Sequence, residues 1–199
     1  DNIQEAIDYS SDGDFIFVFP GTYTGQRNHD IDFLGKAVTV RSIAPTDPYI
    51  VAETIIDCNG TGGGFNFDSG EDANSVLAGF TITNGNEGGI YCTQSSPTIT
   101  NCVITGNKAS EGGGIFCYNS NPVITNCTIT GNETIRNTGG GICCYGSSPA
   151  ITGCTISGNK ATRGSGIYCE FESSPVITNC TITGNSTVGD GGGIFCLDS

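Results

Sequence analysis

Residues 89–107 read Gly89-Ile90-Tyr91-Cys92-Thr93-Gln94-Ser95-Ser96-Pro97-Thr98-Ile99-Thr100-Asn101-Cys102-Val103-Ile104-Thr105-Gly106-Asn107. The stretch returns with small changes from Ile115, Ile142 and Ile167, and a fifth start stands at Ile194; the starts are 25, 27, 25 and 27 residues apart. Such a period marks stacked supersecondary units. Within the copy, Ile90 and Cys92 share one parity with Tyr91 opposite, and Ile99 sits between Thr98 and Thr100. Cys102 and Ile104 again share a parity, against Val103 and Thr105. Alternation over a few residues is the pattern of a half-buried strand. No window of the array carries ten residues of helical period, which excludes a helical solenoid.

Turn chemistry separates the strands. Ser96-Pro97, Asn121-Pro122, Ser148-Pro149 and Ser174-Pro175 force extended backbone before the second strand. Asn101, Asn126 and Asn179 take the next corner, where Gly153 stands in the third copy; Asn and Gly share a tolerance of positive φ. Gly-Asn pairs at 106–107, 131–132, 158–159 and 184–185 end the third strand, and the loops beyond them vary. Three strands and three corners per repeat make one rung of a parallel β-helix, Ile falling on Ile and Cys on Cys, with the right hand that parallel crossovers favour. The expected fold is all-β: a right-handed parallel β-helix of about seven rungs, with a short N-terminal capping helix and no evident C-terminal cap.

The chain reads as a single domain over 1–199. Residues 1–27 hold the cap and first strand, 28–87 the irregular rungs, and 88–199 the regular repeats. Asp1 to Tyr9 is the helical signal, with Ile3, Ala6 and Ile7 on one face and Asp1 or Asn2 as N-cap. Laid over the first rung it would cover open strand edges. Ile31/Phe33, Val38/Val40, Ile55-Ile56, Phe65/Phe67 and Phe80/Ile82 are the expected inward residues of the irregular rungs. The last residues begin another rung at Ile194, so either a longer chain or end-to-end association is expected there.

Here a resemblance becomes specific. The Ile-Gln-x-Ala-Ile-Asp helix, Asp12-Gly13-Asp14, an apolar strand and Pro20-Gly21-Thr22-Tyr23 resemble the opening of pectate-lyase-like right-handed β-helix proteins. Phe33 to Ser42 resembles their next rung, and Gly79 to Gly85 the entry to their repeats. The array is similar to the repeats of bacterial polymorphic outer-membrane proteins, as in Gly113-Gly114-Ile115 and Ile104-Thr105-Gly106-Asn107. The resemblance spans nearly the whole chain and implies fold; the fold hosts lyases, hydrolases, adhesins and passive stalks alike.

Composition narrows the classes. The net charge is −13, which makes nucleic acid a poor partner. Residues 1–87 carry 14 acids against 3 bases, and 88–199 carry 6 against 4. No apolar run is long enough to cross a membrane. Eleven Cys in 199 residues suit an oxidising compartment, and a chain starting at Asp1 reads as processed or excised, so an extracellular or cell-surface location is expected.

The cysteines come one pair per rung: Cys92/Cys102, Cys117/Cys127, Cys144/Cys154 and Cys169/Cys180. Count and export favour a disulfide within each rung; vertical ladders of buried thiols are the alternative. Cys143 takes the outward position held elsewhere by an aromatic. As an exposed thiol it joins Ile194, Phe195 and Cys196 as a candidate contact with another molecule. Metal binding through Cys is not expected, since no Cys-x-x-Cys occurs and the sole His, His29, is remote in sequence from the array.

No catalytic set stands out, and an enzyme is not the favoured reading. A polysaccharide-cleaving enzyme on this fold would act on acidic polysaccharides: a lyase through a Ca²⁺ site and a Lys or Arg base, for which the array offers only Lys108, Arg136, Lys160 and Arg163, all in loops, and a pectin-hydrolase-like enzyme through paired Asp with a Gly-His-Gly, which the chain lacks. Asp68, Glu71 and Asp72 are weak Ca²⁺ candidates, with Asp12 and Asp14 behind them; otherwise no cofactor is expected. Tyr91, Phe116 and Tyr168 form a ladder suited to stacking on sugar rings or to supporting strands. Thr81/Thr83, Thr128/Thr130, Thr155/Ser157 and Thr181/Thr183 form a hydroxyl array of the kind seen in ice-binding solenoids. Sequons at Asn59, Asn126, Asn132, Asn179 and Asn185 would accept glycans. The leading expectation is an extracellular structural protein, a surface stalk, adhesin or filament segment. Polysaccharide binding or cleavage is the alternative, and ice binding a lesser one.

Overall fold

The computed structural model describes residues 2–135 and 138–198. Arg136 lies outside them. The chain winds as a parallel solenoid with three seven-stranded sheets and a short four-stranded one. The first sheet runs from Phe15–Val18 to Val176–Thr178, the second from Gly21–Tyr23 to Thr181–Thr183, and the third from Ile31–Asp32 to Ile194–Cys196. The fourth pairs Lys108–Ala109, Glu133–Thr134, Lys160–Ala161 and Ser186–Thr187. This fourth sheet is an addition to the three expected strands per rung. It forms where the loop after each Gly-Asn pair continues straight for two residues.

Every inter-strand pair is parallel and unshifted, so interior columns are chemically uniform. Leu77, Ile99, Ile124, Ile151 and Ile177 stack in the first sheet, and Ile82, Ile104, Ile129, Ile156 and Ile182 in the second. In the third, Phe67 is followed by Cys92, Cys117, Cys144, Cys169 and Cys196. The expected inward residues of the irregular rungs are buried, except Ile55, which is half-exposed. There the core is filled by Phe33, Phe65, Phe67 and Phe80, whose rings meet at 4.5–6.4 Å. The regular rungs place Cys at the positions following Phe67 and Phe80, a smaller pair for a more uniform cross-section.

The cap forms as the sequence implies. Helix α1 (Ile3–Tyr9) is capped by Asn2, whose side chain accepts the Glu5 N–H, and it buries Ile3 and Ile7. A second short helix, α2 (Pro48–Glu53), was not expected. Pro48 opens it and Asp47 caps it by accepting the Tyr49 N–H, the ordinary N-terminal chemistry of a helix.

The corner Asn residues behave as read: Asn101, Asn126 and Asn179 have φ of 53° and Gly153 has 66°. The Gly-Asn pairs do not act as one turn. Their Gly residues take positive φ, but Asn107, Asn132 and Asn159 are fully buried. Each lends one side-chain oxygen to the rung before it: Asn132 Oδ1 accepts the Asn107 N–H and Nδ2–H, and Asn132 Nδ2 donates to the Ile104 carbonyl at 2.9 Å. Asn185 ends the same column. Burial therefore removes Asn132 from the glycan acceptors. A second buried column, Ser95, Ser120, Ser147 and Ser173, is joined by N–H donation to the next hydroxyl at 2.9–3.1 Å. Both ladders satisfy backbone groups that would otherwise be orphaned at buried corners.

Candidate functional site

The outer face of the third sheet carries one column in register: Asn66, Tyr91, Phe116, Cys143, Tyr168 and Phe195. The Gly runs fold over it. A Cβ on Gly112 would stand 2.7 Å from Phe116 Cβ, one on Gly139 2.5 Å from Cys143 Cβ, and one on Gly164 2.8 Å from Tyr168 Cβ. Only glycine lets the backbone lie so close. Tyr168, flanked by the Tyr145 and Phe195 rings at 6.0 and 5.5 Å, is 2% exposed, whereas Tyr91 is 38% exposed. The proposed sugar-stacking ladder is thus open at Tyr91 and Phe116 and closed at Tyr168.

The open part forms the floor of a groove of about 680 Å³. Tyr91 and Phe116 stack with centroids 5.3 Å apart and planes 16° from parallel. Asp30, Asp68, Glu87 and Glu111 wall the groove, together with Asn66, Asn86 and Ser110. Each carboxylate comes from a different turn. Asp30 is fixed: its Oδ1 accepts the Gly63 N–H at 2.6 Å and its Oδ2 lies 2.8 Å from His29 Nδ1. His29 therefore orients a groove wall. Glu111 Oε1 accepts the Tyr145 hydroxyl at 3.2 Å, and that hydroxyl lies 3.0 Å from Thr138 Oγ1.

Cys143 is not the exposed thiol expected. It is fully buried, with its sulfur 3.7 Å from Thr138 Oγ1. Its small side chain leaves a gap in the aromatic column, and the Tyr145 ring fills it edge-on between Phe116 and Tyr168, at 5.7 and 6.0 Å. Burial pushes the Cys143 thiol up to about 12 and raises the Tyr145 hydroxyl well above its ordinary value. Tyr168 is raised to about 12, first by burial and then by its hydrogen bond with Glu170.

The rung cysteines meet vertically. Cys92, Cys102, Cys117, Cys127, Cys144, Cys154, Cys169 and Cys180 are thiols, and their contacts run to the same position one rung away. In-register stacking brings like positions of neighbouring turns together, so the structure has the vertical ladders and not a bridge within each rung.

The three weak Ca²⁺ candidates do not converge. Glu71 is buried, accepting the Gly35 N–H, the Ser69 N–H and the Ser95 hydroxyl at 2.7–3.0 Å. It ends the serine column. Asp72 caps a turn through the Asn74 N–H, and Asp68 lines the groove. Among the described residues no group of three or more His, Cys, Asp or Glu is placed to hold a metal ion. The Thr columns do face outward in register on the second sheet. At their N-terminal end α2 covers them, where Thr81 Oγ1 donates to the Val51 carbonyl at 2.9 Å.

In-register parallel turns around Ile, Cys, Asn and Ser columns define a parallel β-helix repeat protein. The family model described as Periplasmic copper-binding protein (NosD) matches residues 35–199, and the chain belongs to that family, a right-handed parallel β-helix family of the periplasm. No curated protein and no solved structure matches the chain. No helix among the described residues is long and apolar enough to cross a membrane.

Proposed function

We propose that this is an exported β-helix module that binds a carbohydrate chain lacking acid groups in the groove on the third sheet. The observation that carries the reading is the stacked Tyr91–Phe116 floor between carboxylate and amide walls. Aromatic faces pack on the apolar faces of sugar rings, while carboxylates and amides accept from and donate to their hydroxyls. The volume lies in the usual range for ligand sites. Four carboxylates repel a polyanion, so the acidic polysaccharides expected for a lyase are poor ligands, and an uncharged or amino-bearing polymer is favoured. A panel of immobilised neutral, amino-bearing and uronic polysaccharides tests this. Retention on the first two classes supports the reading, and retention on the uronic class alone overturns it.

A second reading, a stalk, adhesin or filament segment, is supported by the unshifted pairing of all turns, which makes a stiff rod. Contact through Ile194, Phe195 and Cys196, or a longer chain, would extend it. Light scattering at rising concentration tests association, and a strictly monomeric particle removes the end-to-end version.

The family description names copper. The residues here do not fit it well. There is no Met, the one His pairs with Asp30, and among the described residues no three His, Cys, Asp or Glu converge on one point.

A further inference from the structure

Strand Ile142–Tyr145 departs from its neighbours on the outer face of the third sheet. Cys143 and Tyr145 share that face, as Phe116 and Tyr118 do one turn earlier, in register with them. Phe116 fills its place in the column, and Tyr118 beside it is 44% exposed. Cys143 is too small to fill its own, so the Tyr145 ring turns in and meets the edge of the groove floor at Phe116, 5.7 Å away and 87° from parallel. The same turn brings the Tyr145 hydroxyl to Glu111, which walls the groove, although Tyr145 itself does not line it. The direction of the hydrogen bonds follows from the protons available. Tyr145 has one hydroxyl hydrogen and donates it to Glu111 Oε1 at 3.2 Å. Its oxygen therefore accepts from Thr138 Oγ1 at 3.0 Å, and Thr138, its own hydrogen engaged, accepts from the Cys143 S–H at 3.7 Å. Burial raises both the Cys143 thiol and the Tyr145 hydroxyl, so both keep their protons near neutral pH and the chain runs one way, from sulfur to carboxylate.

We infer that Tyr145 is a positioning residue for the groove: its hydroxyl holds the Glu111 carboxylate at the Phe116 end, where that carboxylate accepts from the hydroxyl or ammonium groups of a sugar stacked on the Phe116 ring. The inference rests on the carbohydrate-binding reading of the groove. Glu111 precedes Gly112, whose Cβ would stand 2.7 Å from Phe116 Cβ, so wall and floor are adjacent there. Tyr145 touches both, the floor with its ring and the wall with its hydroxyl, and so fixes one against the other. A glutamate without that bond would keep its rotamer freedom until a ligand ordered it, and the ordering would weaken binding. Cys143 makes the arrangement possible, because an aromatic at that position would occupy the space the Tyr145 ring takes.

Calorimetric titration with an amino-bearing probe, chitosan oligosaccharide, and a neutral one, cello-oligosaccharide, compares the wild type with Tyr145→Phe, Glu111→Ala and the double variant, at a temperature where circular dichroism shows all four folded. Tyr145→Phe keeps the ring and removes only the hydroxyl. Affinity for the probe the wild type binds is expected to fall about fivefold or more in Tyr145→Phe and in Glu111→Ala, and to be no weaker in the double variant than in Glu111→Ala, since the hydroxyl acts through that carboxylate. Tyr118→Phe, the same position one turn earlier, is expected to bind as the wild type does. A tyrosine that only supported the sheet would add its own loss to that of Glu111→Ala. Such additive losses, an equal loss in Tyr118→Phe, or a Tyr145→Phe that binds as tightly as the wild type overturn the positioning role and leave the carbohydrate reading in place. A wild type that binds neither probe overturns both.

Discussion

Asn107 donates both its main-chain N–H and its side-chain Nδ2–H to the single Oδ1 of Asn132, at 3.0 and 3.1 Å. Both residues are fully buried. One oxygen thus satisfies two donors from the neighbouring turn, at a corner where no strand ladder reaches them. Asn132→Ala strands those donors and should cost about 1–3 kcal/mol in a denaturant melt. The corner substitution Asn126→Gly, which imitates Gly153, should stay within about 0.5 kcal/mol.

Close backbone approach makes a separate prediction at Gly114. A Cβ there would stand 2.5 Å from the Gly141 carbonyl oxygen and 2.8 Å from Ile129 Cγ2. Backbone on the next turn cannot give way singly, so Gly114→Ala should lose about 3 kcal/mol or fail to fold. Gly21→Ala meets only the Tyr23 ring, at 3.7 Å or more, and should leave the melting midpoint nearly unchanged.

Alkaline pH should unfold the protein. Burial raises the Cys58 and Cys143 thiols from 9.0 to about 12. A raised value means that folding favours the neutral thiol. The stability it contributes is whole below about pH 9 and drains away as pH climbs toward 12. Melting midpoints between pH 7 and 11 should be level at first and fall above 9, and a midpoint that rises over the upper range would contradict these burials.

Glu71 separates a structural carboxylate from a calcium ligand. Its oxygens accept three donors inside the serine ladder, so Glu71→Gln turns an amide NH₂ toward a donor and should destabilise by about 1–3 kcal/mol. Millimolar Ca²⁺ should leave the wild-type melt where it was.

The fold was legible because side-chain parity and corner chemistry are local. Ile99 between two threonines, and Asn exchanging with Gly at 153, each name a backbone state without help from the rest of the chain. The polar ladders were not legible in that way. Asn132 and Ser120 look like turn residues until the stacking of turns encloses them. Cys143 misled for a related reason. Its position is outward, but Gly139 and the Tyr145 ring, set by packing across three turns, bury it. The floor of the groove was visible as the Tyr91–Phe116 column. Its walls were not, since Asp30, Asp68, Glu87 and Glu111 converge only through loops on different turns.

Calorimetric titration of the wild-type protein and of Tyr91→Ala with a soluble polysaccharide lacking acid groups tests the central claim most directly. The account predicts saturable binding by the wild type, at least tenfold weaker in Tyr91→Ala, with both proteins fully folded at the temperature of the titration. Binding of equal strength in both, or a wild type that takes up only uronic polymers, would contradict it.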